Sequence, residues 1–147
     1  MLRLLGAVLL VSLVTGTPAY GQQRAQFLVQ ATVPARVTLA AVEQPTRLWL
    51  TEDDVARGYK DVSARYRVAS NDSRGWLLRL SPRLGVTAQV EVRGLAAPLV
   101  LGEHGVEVYQ PRASEPRHLE LDYRFVLEPG TQPGIYELPI HLSATPL

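Results

Sequence analysis

Cysteine is absent from this chain of 147 residues. That excludes a disulfide framework, a thiol nucleophile and a zinc–thiolate site. Stability must therefore rest on an apolar core and on strand pairing. An excess of one charge is lacking too, with 15 Lys and Arg against 14 Asp and Glu. A balanced chain is poorly suited to nucleic acid or to an anionic membrane surface as its main partner. Catalytic signatures are missing: there is no Gly-x-Ser-x-Gly elbow, no phosphate-binding Gly-rich loop and no His-Glu-x-x-His. The histidines His104, His118 and His141 stand far apart, no two at ligand spacing, and read as solvated surface residues. Neither an enzyme nor a cofactor site is expected.

Long apolar runs are absent except at the start. Arg3 precedes an apolar run from Leu4 to Val14, and Thr15–Gly21 supplies small residues. This is the pattern of a secretory signal peptide over residues 1–21, of the bacterial Sec type, with cleavage before Gln22. The run falls short of the ~20 residues that span a bilayer, so no membrane span is expected once the signal is removed. Periplasm, cell surface or medium is the expected location. Removing residues 1–21 takes away Arg3 alone, leaving 14 basic against 14 acidic side chains on about 126 residues. That length suits a single domain over 22–147 with a real core.

What fills the chain is alternation. Phe27, Val29, Ala31 and Val33 share one face of an N-terminal segment, which Pro34 interrupts before strand character resumes at Arg36–Ala41. Tyr66 and Val68 precede Ser70-Asn-Asp-Ser-Arg-Gly75, and Trp76, Leu78 and Leu80 follow it. The spacing predicts strands on both sides and the intervening residues predict a turn, so a hairpin over Asp61–Ser81 is expected. A second hairpin is expected at Gly102–Gly105, joining Leu99–Leu101 to Val106–Tyr109. Val90 and Val92 point inward between Glu91 and Arg93. Leu119, Leu121, Tyr123, Phe125 and Leu127 alternate with Glu120, Asp122 and Arg124, as in a strand covered on one side. The last strand, Ile135–Ser143, places Tyr136, Leu138, Ile140 and Leu142 inward and Pro139 on the outer face.

One helical turn is expected at Thr51–Gly58, where Thr51 and Asp54 have capping-box spacing and Gly58 suits a stop. Glu52, Asp53 and Asp54 are adjacent, and three neighbouring carboxylates on regular backbone cannot all face one ion. No metal site is read there. Trp49, flanked by Leu48 and Leu50, points to the opposite face from its neighbours and is the candidate exposed contact. Altogether the pattern predicts an all-β, immunoglobulin-like antiparallel sandwich of about eight to ten short strands with one short helical turn.

Three stretches resemble fimbrial subunits of the alternate chaperone–usher, colonisation-factor type. They are Phe27-Leu-Val-Gln-Ala-Thr-Val-Pro-Ala-Arg-Val-Thr-Leu39, Ser70-Asn-Asp-Ser-Arg-Gly-Trp-Leu-Leu-Arg-Leu-Ser81, and Pro133-Gly-Ile-Tyr136 through Ser143. Spore-coat-U-like secreted pilin domains share a similar closing strand. The resemblance implies a pilin-like sandwich lacking its last strand, filled first by a periplasmic chaperone and then by the N-terminal strand of another subunit. It implies donor-strand anchors at Phe27, Val29, Ala31 and Val33. It also implies an acceptor groove at Val37, Leu39, Tyr136, Leu138, Ile140 and Leu142. The chain is shorter than a typical major subunit of that type, chiefly between Leu84 and Leu119, and only Gln22–Gln26 precedes the first alternating segment. Phe27–Val33 thus serves either as a donor or as the domain's own first strand. The second alternative makes the protein a self-complete secreted binding module for a glycan or protein ligand, with no assembly role.

Overall fold

Alternating side chains make nearly every described segment a strand. The structure is a computed structural model that describes residues 30–83, 85–112 and 115–147. The strands are β1 (Val37–Glu43), β2 (Arg47–Leu50), β3 (Tyr59–Ser70), β4 (Trp76–Pro82) and β5 (Thr87–Arg93). They continue with β6 (Leu99–Leu101), β7 (Val106–Gln110), β8 (Arg117–Leu127), β9 (Gly134–Glu137) and β10 (Ile140–Pro146). A short helix, α1 (Glu52–Arg57), lies between β2 and β3. Residues Val33–Leu147 form one unit. Of the unit before it, Gln30–Thr32 is described, exposed and without regular structure. The signal segment and residues 22–29 lie outside the described residues.

All strand pairs are antiparallel. One sheet has five strands in the order β1-β3-β8-β5-β6, a second has three in the order β10-β4-β7, and β2 with β9 makes a two-stranded ribbon. Tyr66, Val68, Leu121, Tyr123 and Phe125 of the first sheet join Trp76, Leu78 and Leu80 of the second in a single buried cluster. Leu48 and Leu50 of the ribbon close it. The fold is an all-β sandwich with its core between the sheets. Inside, the Tyr66 and Tyr123 hydroxyls meet at 3.1 Å, which satisfies two polar groups that burial would otherwise penalise. Outside, cross-strand neighbours pair through polar side chains: Arg124 donates to Asp61 and Arg65 to Glu120 as ion pairs, and the Ser63 hydroxyl donates to Asp122.

The helix forms as its sequence directs. The Asp54 amide donates to the Thr51 hydroxyl at 3.2 Å, and the Asp54 carboxylate accepts from the Thr51 amide at 3.0 Å. Gly58 ends the helix in the left-handed region at φ 78°. Asp54 is buried, accepting from Lys60 Nζ at 2.8 Å and from Arg57, whereas Glu52 and Asp53 face solvent.

Three connections differ from the sequence expectation. The segment over Asp61–Ser81 is not a hairpin, because β3 and β4 lie in different sheets. Both hydrogen-bonding edges of β3 are taken, one by β1 and one by β8, which leaves no edge for β4. Residues 71–75 therefore carry the chain across the core. The Gly102–Gly105 loop also crosses between sheets, since β6 pairs with β5 and β7 with β4. The last strand is broken as well. Pro139 has no N–H for a ladder, so β9 ends on β2 and β10 begins on β4. Pro139 is buried at the break, not on an outer face, and its carbonyl accepts from the Arg83 amide at 3.0 Å.

Candidate functional site

An edge strand carries unpaired backbone groups and whatever apolar side chains its missing neighbour would have covered. β1 ends the five-stranded sheet, β10 ends the three-stranded sheet, and the two lie beside each other at the rim of the sandwich. Their inward rows are incompletely covered. Val37 and Leu39 on β1, with Leu142 and Ala144 on β10, pack on the core yet stay half-buried. The corresponding residues of β4, by contrast, Trp76, Leu78 and Leu80, are 0 % exposed. A shift of register between Ala41 and Glu43 bulges β1 and leaves Val42 50 % exposed. The seam between β1 and β10 is thus apolar, half-covered and bordered by free backbone.

One end of that seam is fastened by Asn71 and Asp72. The Asn71 side chain accepts from the Arg36 amide at 2.6 Å and donates to the Pro34 carbonyl at 3.0 Å. Its backbone amide donates to the Arg36 carbonyl at 3.1 Å. Asp72 accepts from the Leu147 amide at 3.1 Å, from the Arg74 amide at 3.0 Å and from the Arg74 guanidinium at 2.9 Å and 3.1 Å. The Arg74 amide, ahead of the opposing effect of burial, holds the Asp72 carboxyl below the usual carboxylate range, with the guanidinium and the Leu147 amide adding to it. Asn71 grips the chain as it enters β1, and Asp72 grips it as it leaves β10. In the sequence both residues read as parts of a local turn. A turn-rich pair needs local partners, and their long-range role carries no signal in composition.

Comparison with protein-family models, with curated proteins and with solved structures returned no match.

The residues singled out from sequence fall in different places. Phe27 and Val29 lie outside the described residues. Ala31 and Val33 are exposed and outside any strand, Val33 at 77 %. Val37, Leu39 and Leu142 line the seam, and Ile140 is buried where β10 begins. Leu138 is buried at the break before β10. Tyr136 sits on β9 in the ribbon with β2, apart from the β10 row, and its hydroxyl donates to the Gln132 carbonyl at 2.8 Å. Ala144, which continues the alternation past Leu142, belongs to the seam and lies beyond the last strand expected from sequence, Ile135–Ser143.

Away from the seam, Trp49 is 69 % exposed while Leu48 and Leu50 on either side are each 1 % exposed. Opposite it on β9 stands Ile135, 63 % exposed. His104, His118 and His141 are all exposed. Among the described residues no helix is long and apolar enough to cross a membrane.

Proposed function

We propose that this chain is an exported structural or adhesive subunit, or a fimbria-associated protein, assembled by β-strand addition at the β1/β10 seam. The observation that carries the reading is the strand order. An immunoglobulin-like sandwich arranges strands A-B-E-D in one sheet and C-F-G in the other. Here β1-β3-β8-β5 corresponds to A-B-E-D, and β10-β4 to F-C. Strand G, which would lie on the free edge of β10, has no counterpart among the described residues. A strand added there would bond to the unpaired backbone of β10 and cover Leu142, Ala144, Val37 and Leu39.

Phe27, Val29, Ala31 and Val33 have the period of such a strand. Supplied to a neighbouring copy or a partner subunit, the segment would build a head-to-tail fibre, because contacts of that kind do not close. A periplasmic chaperone would hold the seam until assembly.

The test removes residues 1–33 and returns a peptide spanning Gln22–Val33. The truncated chain should be poorly soluble alone, and the peptide should bind it one to one and raise its melting temperature. A stable truncated monomer indifferent to the peptide refutes strand addition. In the longer chain, Val29→Asp should block assembly while chaperone capture survives. Loss of both would mean that Phe27–Val33 completes its own domain.

A further inference from the structure

We infer that the outer face of the β2–β9 ribbon binds an acidic saccharide, with Trp49 as the stacking surface and Arg47 as the cation. This rests on the ribbon alone and is independent of strand addition at the seam. Alternation sends Leu48 and Leu50 into the core and leaves Arg47 and Trp49 on the outer face. The register sets Trp49 opposite Ile135 and Arg47 opposite Glu137. An indole and an aliphatic side chain are therefore held side by side in solvent by a backbone anchored in the core. The only other tryptophan, Trp76, is fully buried.

A cleft of about 290 Å³ adjoins the indole, with Pro45, Arg47, Thr51, Lys60 and Val62 among its lining. Its charged lining is cationic. Lys60 is already matched by Asp54 at 2.8 Å, and the Glu137 across the ribbon by Arg83 at 3.3 Å. Arg47 is the remaining cation, exposed and with no carboxylate at ion-pair distance among the described residues. The site thus offers an aromatic face and one guanidinium outside any ion pair, while the Thr51 hydroxyl already donates to Asp54 at 2.8 Å.

Three kinds of occupant can be weighed against that inventory. A second copy of the chain, or another protein, needs on the order of 800 Å² of each partner for a stable interface. A tryptophan and an isoleucine offer roughly 300 Å². A single-stranded nucleic acid also stacks on aromatics, but its affinity comes from several phosphate contacts at once, and the ribbon has one free cation. A sugar ring fits better. Its C–H face is drawn to the negative face of the indole, and a carboxylate on the ring accepts two parallel hydrogen bonds from Arg47. The occupant is therefore a carboxylate-bearing pyranose.

The test titrates the full chain with a uronate tetrasaccharide and with a neutral glucan tetrasaccharide, following ligand-detected NMR and tryptophan emission. Trp49 is the exposed fluorophore, so the acidic sugar should shift the emission to the blue and saturate. It should bind roughly two- to fivefold more tightly than the neutral one, the effect of one exposed ion pair. Arg47→Gln should remove that preference and leave the weak neutral binding. Trp49→Ala should abolish binding of both, with Trp76 emission and thermal unfolding showing that the fold is kept. Unsaturable titration, equal affinity for the two sugars, full binding by Trp49→Ala, or tighter binding of an oligothymidylate would each overturn the inference.

Discussion

Asp54 shows how one residue ties helix to sheet. Its carboxylate caps α1 through Thr51, accepts from Arg57 and reaches Lys60 on β3. Burial works to raise its pKa. The Lys60 ammonium and the Thr51 amide and hydroxyl outweigh that and hold the carboxyl well below the usual range. Asp54→Asn should cost about 1–2 kcal/mol, the scale of a lost cap, read as a lower urea midpoint at unchanged slope. Asn71 acts over a longer span. Asn71→Ala removes two bonds to the Pro34–Arg36 backbone, and hydrogen exchange at the Arg36 amide should quicken. Stability should fall by about 1–2 kcal/mol. Unchanged exchange would mean that β1 is fixed by its ladder with β3 alone.

At the scale of elements, interior and rim strands should respond differently. β4 lies between β10 and β7 with Leu78 and Leu80 fully buried, so Leu78→Ala should cost about 2–5 kcal/mol. Leu142 on β10 is half-buried, and Leu142→Ala should cost less, about 1–2 kcal/mol. Under strand addition that variant should also weaken capture of the Gln22–Val33 peptide, whereas Leu78→Ala should not once the fold is restored by osmolyte. Urea titrations with and without peptide separate the two effects. The strands themselves were legible. β8 shows why, since the Leu119–Leu127 alternation maps directly onto its buried and exposed faces. Their partners were not. Period two says which face of a strand is apolar, and it says nothing about which of its edges is already occupied. The expected hairpin failed because β1 and β8 fill both edges of β3.

Across the whole molecule, acid should be the weak side. Asp54, Asp61 and Asp72 are all held below the usual carboxylate range by hydrogen-bonded cations or amides. A carboxyl whose folded pKa is depressed contributes stability above its unfolded value, near ~3.9, and loses it as pH falls through the folded value. Melting temperature should therefore stay level from about pH 5 to 8 and drop below about pH 4. Salt should blunt the share of the exposed Asp61–Arg124 pair more than that of buried Asp54. A melting temperature that holds to about pH 2 would show that these pairings add nothing to the fold.

The sequence by itself determined the class of fold, the helical turn and its cap, and the outward turn of Trp49, because each follows from spacing within a few residues. Only the tertiary structure decided that 71–75 crosses the core, that Pro139 divides the last strand between ribbon and sheet, and that Asn71 and Asp72 fasten two distant ends of the chain. Those outcomes depend on which edges are free once every strand has found its neighbours. The half-covered seam between β1 and β10 joins two of the sheet edges left over, β6 and β7 being the others.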